Sequence, residues 1–131
     1  MTVHGSERRG LIVPVLLLLL AERPDHGYEL LQRLRAFGWS DCDSAGVYRV
    51  LRGMEKDGML ASSWRASETG PARRRYEITP QGAMELALWF LRLGELHETL
   101  HVFLERYAQL PTAVPARGTG VPGTGRRATR P

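Results

Sequence analysis

Two groups of side chains in this sequence are equipped to act on a polyanion. The first is Ala45, Tyr48, Arg49 and Arg52, at spacings of three and four, which in a helix fall on one face. That face carries a small residue, a phenolic hydroxyl and two guanidinium forks. In a DNA major groove, such forks donate in pairs to guanine edges, and small apolar atoms meet thymine methyls. The plainer alternative is a solvated helix face with surface arginines. The second group is Arg73, Arg74 and Arg75, beside a Gly70-Pro71 turn. There guanidiniums hold phosphates without reading sequence.

A third group suggests different chemistry. His97-Glu98-Thr99-Leu100-His101 matches H-E-x-x-H, in which two histidines one helical turn apart bind zinc and the glutamate serves as base. No third ligand follows at a recognisable spacing, and His4 and His26 lie far away in the sequence. The expectation is two ordinary helix-surface histidines, with no metal and no cofactor. No phosphate loop, G-x-S-x-G elbow or usable Cys-His pair is present, so an enzyme is not expected.

The elements that must position these groups are legible from periodicity. A first helix is expected from Arg8 to Glu22, with Pro14 tolerated only near its first turn. Its apolar run, residues 11 to 21, imitates a secretory signal after Arg8-Arg9. Eleven residues are too few to span a bilayer, and Glu22-Arg23-Pro24-Asp25 offers no small-x-small cleavage site. A buried core helix is the better reading. Asp25 is expected to cap a second helix, His26 to Phe37, with Tyr28, Leu30, Leu31, Leu34 and Phe37 at helical spacing. Gly38 ends it, and Trp39 to Asp43 form a turn.

Asp43 or Ser44 should cap a third helix, Ala45 to Asp57, which stops at Gly58. Its apolar face is Val47, Val50, Leu51 and Met54, opposite the polar stripe. Gly53, within it, costs about 1 kcal/mol relative to alanine. Two readings of it stand, a close approach to a phosphate backbone or no role. Two alternating strands follow, Met59 to Ala66 and Arg74 to Thr79, with residues 67 to 72 as their tip. Leu60 and Trp64 share one face of the first strand. Tyr76 and Ile78 share one face of the second, with Arg73 and Arg75 opposite.

Thr79-Pro80 opens the last helix, which carries the strongest repeat. Leu86, Leu93, Leu100 and Tyr107 recur every seven residues, interleaved by Trp89, Leu96, Phe103 and Leu110. A small domain has little internal surface to cover so long a stripe, so a second copy of the chain is the expected partner. From Pro111 the chain is rich in Pro, Gly, Thr and Arg without an apolar period, and disorder is expected there.

Charge follows the same plan. Seventeen of eighteen basic residues are arginine, and the net charge is +4. Residues 44 to 79 carry +3 and 111 to 131 carry +4, whereas 1 to 43 and 80 to 110 are mildly acidic. Positive charge thus gathers where a polyanion would lie. One cysteine, Cys42, excludes an internal disulfide and fits a reducing cytoplasm. The fold class expected is mainly α with a small β-hairpin (α+β). Its parts are a winged helix-turn-helix over 8–79, a dimerisation helix over 80–110 and a tail over 111–131.

These pieces together resemble the PadR-like transcriptional regulators. The resemblance lies in LLLLLAE at 16–22, HGYEL at 26–30, VYRVLRGMEKDG at 47–58, S-x-W at 62–64, GPARRRY at 70–76 and TPQG at 79–82. It covers roughly residues 9 to 107 and looks like the short subgroup. It implies a homodimeric repressor that binds a pseudo-palindromic DNA operator and is released by an effector. Residues matching Tyr28, Ser44, Tyr48, Arg49 and Arg52 would face DNA, with Ala45 and Lys56 beside them, and Arg73 to Arg75 would grip the adjacent groove or backbone.

Within the family, the AFG turn at 36–38, GVYRVLR at 46–52 and SETGPARR at 67–74 look closest to repressors responsive to poly-β-hydroxybutyrate. Gly53 departs from the larger polar residue such helices carry, and the tail is unlike the family. Some relatives bind flat aromatic ligands between paired last helices. Trp89, Phe90, Leu93 and Leu96 are the matching candidates for an effector site, or else part of a dimer core with Leu86, Leu100, Phe103 and Tyr107. Two other functions are compatible with the residues: a dimeric protein-interaction module without DNA binding, and a hydrolase using His97, Glu98 and His101.

Overall fold

Leu11 is the N-cap of α1 (Ile12–Glu22), the first helix among the described residues, in a computed structural model that describes residues 10–112. The helix begins later than the expected Arg8. A start at Arg8 would bury Pro14 in the helix interior and lose a backbone bond. From Ile12, the missing N–H of Pro14 belongs to the first turn, where no helix satisfies it. Val15, Leu16, Leu17, Leu19 and Leu20 are all buried, so α1 is a core helix. Each such leucine is worth about 1.5–3 kcal/mol when removed from water.

The next element differs from expectation. Asp25–His26 form a two-residue strand, β1, and α2 (Gly27–Phe37) starts after it with His26 as N-cap. Asp25 does not cap α2. Its Oδ1 accepts the His26 N–H at 2.9 Å, and its Oδ2 accepts from Arg33 at 3.1 Å. Arg33 also donates to the Leu19 carbonyl at 2.7 Å and to Glu22 at 3.3 Å. One guanidinium therefore ties the last turn of α1 to β1, where cationic donors are favoured.

Residues 38–43 turn the chain into α3 (Ser44–Lys56), which buries Val47, Leu51 and Met54. Asp43 is its N-cap by backbone conformation, without a side-chain capping bond. Gly58 ends the helix at φ +85°, its N–H reaching the Glu55 carbonyl while the Met59 N–H reaches Met54, both at 3.0 Å. This left-handed closure favours glycine. It turns the chain directly into β2 (Leu60–Arg65), which pairs antiparallel with β3 (Arg73–Ile78).

The sheet order is β1-β3-β2, so the expected hairpin of β2 and β3 is present and β1 adds a third strand to it. Register places Leu60 opposite Ile78, Ser62 opposite Tyr76, Trp64 opposite Arg74 and Arg65 opposite Arg73. Tyr76 and Leu60 complete the core of α1, α2 and α3.

Thr79 then links the wing to α4 (Pro80–Ala108). Its hydroxyl donates to the Gly58 carbonyl at 2.6 Å and accepts the Gly82 N–H at 3.0 Å, as an N-cap should. The chain divides into two compact units, one ending at Arg92 and one beginning at Leu93, and α4 contributes to both. In the first, Leu86 and Trp89 pack half-buried against the core. In the second, Phe103 and Tyr107 stack at 6.5 Å along the helix. Among the described residues, no helix is long and apolar enough to cross a membrane. The expected tail lies almost wholly outside the described residues.

Candidate nucleic-acid interface

The stripe read from the sequence is exposed on α3. Ser44, Ala45, Arg49, Arg52 and Lys56 are open to solvent, and Tyr48 is half-buried. Tyr48 is held by its neighbour, because a Cβ on Gly27 would overlap the Tyr48 ring. The glycine thus lets the start of α2 come directly against Tyr48 on α3. Tyr28, next in α2, remains mostly exposed beside it.

Six of the expected residues surround one cleft of about 590 Å³: Tyr28, Tyr48, Arg52, Lys56, Arg73 and Arg74. Three elements thus direct cations and phenolic hydroxyls toward a common space. Ser44, Ala45, Arg49 and Arg75 do not line it. Arg75 instead borders a smaller hollow of about 340 Å³ with Arg65, Arg73 and His26, beside the wing tip.

Strand alternation divides the three wing arginines. Arg74 shares a face with Trp64 and Tyr76, whereas Arg73 and Arg75 share the other with Arg65. Arg74 is braced on several sides. Its Nε donates to Ser62 Oγ at 2.9 Å, its Nη2 lies 3.8 Å from Glu55, and its guanidinium sits 5.2 Å from the Trp64 ring centre. Ser62 in turn donates to Glu55 at 2.7 Å. Glu55 belongs to α3, so this chain of contacts ties the wing to α3. Trp64 keeps the face expected for it but is 63% exposed, because it lies past the core and beneath Arg74.

Tyr76 lies at the base of the cleft. Burial pushes its phenol above the ordinary value, with nearby Arg74 pulling the other way. It therefore stays uncharged and adds no repulsion toward a phosphate.

Glu29, Glu55, Ser62, Trp64 and Arg65 were not among the expected site residues, although Ser62 and Trp64 belong to the S-x-W piece read from the sequence. Only an exact strand register, which pairs Trp64 with Arg74 and Arg65 with Arg73, could have pointed to the last two.

The remaining candidates lie on α4. Trp89 is half-buried with the Arg92 guanidinium 4.7 Å from its ring centre, and Phe90 is 74% exposed. Successive helical residues diverge by about 100°, so Trp89 and Phe90 face different ways within one chain. Leu93 is half-buried, while Leu96, Leu100, Phe103 and Tyr107 are exposed. His97, Glu98 and His101 are exposed too, and His101 lies 3.6 Å from Glu105. Among the described residues, the one grouping of three possible metal ligands is Asp25, His26 and Glu29. Both of its carboxylates already pair with guanidiniums, Asp25 with Arg33 and Glu29 with Arg73.

The model of the PadR-like family of transcriptional regulators matches residues 16–88. The fold is similar to a PadR-like transcriptional regulator from Bacillus cereus, at 26% identity over 73% of this chain and 93% of that one, with a TM-score of 0.68. It is similar also to a PadR family transcriptional regulator from Eggerthella lenta, at 28% identity over 79% and 90%, with a TM-score of 0.70. A conserved protein of unknown function described as a potential transcriptional factor shares 36% identity over 72% and 85%, with a TM-score of 0.64. No functionally curated protein matches the chain. With the family model covering more than half of its length and both regulators sharing its fold, the chain belongs to the PadR-like family of transcriptional regulators.

Proposed function

We propose that this protein is a DNA-binding repressor that acts as a homodimer in the cytoplasm and is released from its operator by a small-molecule or polymer effector. The carrying observation is the cleft where Tyr48, Arg52 and Lys56 of α3 meet Arg73 and Arg74 of the wing. A helix face with guanidinium forks suits a major groove, and a basic hairpin suits the adjoining backbone. In this reading Ala45, Tyr48, Arg49 and Arg52 read base edges, while Tyr28, Ser44, Lys56 and Arg73 to Arg75 hold phosphates.

The exposed apolar row of α4, from Leu96 to Tyr107, supports pairing with a second copy. Two copies would present two recognition helices to a two-fold operator. The effector would lie at Trp89, Phe90, Leu93 and Leu96, with side chains from both copies. Regulation without catalysis is part of the proposal, so no zinc-dependent peptide hydrolysis through His101 is expected.

The test is alanine substitution measured on an operator selected from random duplexes. Arg49→Ala and Arg52→Ala should each cost about 1–3 kcal/mol and relax base preference. Arg74→Ala should weaken operator and random DNA alike and reduce the salt dependence. Unchanged binding by all three would rule the interface out. A dimer with no salt-dependent affinity for duplex DNA would favour the protein-interaction module instead.

A further inference from the structure

A carboxylate on a surface that faces phosphates is repelled by them unless a cation neutralises it. Glu29 is a carboxylate paired with Arg73, one of the wing cations assigned above to phosphates. It follows Tyr28 in the first turn of α2, and both its oxygens accept from Arg73 Nη2, at 2.6 and 2.5 Å. Arg73 in turn lines the cleft. His26 Nδ1 lies 3.8 Å from the Glu29 carboxylate.

The pair is open rather than structural. Its side chains are 44% and 41% exposed, so it adds little to folding stability and a phosphate can reach it. It joins residues 44 apart in sequence, so no local turn or helix requires it.

We propose that Glu29 sets specificity by occupying Arg73 in the DNA-free protein as an internal stand-in for a backbone phosphate. This rests on the DNA-binding function proposed above. Binding to random sequence depends almost wholly on phosphate contacts. Withholding one guanidinium therefore weakens random binding most. At an operator, the base contacts of α3 fix the register and hold a phosphate against the wing, where it displaces Glu29. Discrimination improves by penalising the wrong partner.

The test uses a short labelled duplex of random sequence, titrated at several salt concentrations with wild type, Glu29→Gln, Arg73→Ala and the double variant. Glu29→Gln should bind several-fold more tightly than wild type. Its slope of log affinity against log salt should steepen by about 0.9, one added phosphate contact. In the Arg73→Ala background, Glu29→Gln should change nothing. If Glu29→Gln binds no more tightly, the proposal is overturned. It is overturned equally if the gain persists without Arg73, since that would reflect only the loss of a negative charge near DNA. Absence of salt-dependent binding by the wild type would instead refute the DNA-binding function, and this proposal with it.

Discussion

A Cβ at Gly53 would meet nothing within 4 Å, so packing does not require the glycine. Gly53→Ala should therefore stabilise the fold by up to about 1 kcal/mol, read as a higher thermal midpoint. A simultaneous loss of duplex affinity would assign Gly53 to close phosphate approach, and unchanged affinity would leave it without a role. Tyr76 has a pKa raised above 10.0 by burial. The folded state holds this proton after the unfolded chain has released it, so its contribution is complete below pH 10 and is lost as pH climbs toward the folded value. Tyr76→Phe should remove that part of the alkaline loss in a stability-versus-pH series. A slope in Tyr76→Phe identical to wild type would contradict the assignment.

At the scale of elements, the sequence was most legible where structure is local. Gly38, Gly58 and the Thr79-Pro80 opening mark helix ends through their own backbone chemistry, and the apolar spacing of α2 and α3 marks their buried faces. What escaped was long-range. Two residues have no periodicity, so β1 exists only through pairing with Tyr76 and Arg75. Asp25 was diverted from capping by that pairing and by Arg33. Glu55, Ser62 and Trp64 became site residues only once the register of β2 on β3 put Arg74 among them. Arg33 is the corresponding fastener of α1 and β1. Arg33→Met should destabilise by about 2 kcal/mol, since it removes charge-assisted bonds from a poorly exposed carboxylate and a carbonyl. Urea unfolding would measure this, and an unchanged midpoint would show the tie to be dispensable.

For the whole molecule, the heptad spacing of α4 pointed to an apolar row and to a second copy of the chain as its cover. Leu86 and Trp89 pack against the core of their own unit, whereas Leu96, Leu100, Phe103 and Tyr107 stay exposed in the single chain. A second copy covering that row is the proposed solution. Leu96→Glu combined with Leu100→Glu should then shift sedimentation from two chains to one and lower operator affinity, while the circular dichroism of the winged unit is retained. Sedimentation unchanged from wild type would place the interface elsewhere.

The proposed reading of bases by α3 in two copies, with the wing on the backbone, is checked by selecting duplexes from a random pool with wild type and with Arg52→Ala. The wild type should enrich an inverted repeat, and Arg52→Ala should lose preference at one base pair in each half-site while keeping the rest. Identical profiles for the two proteins, or no enrichment by the wild type, would contradict it.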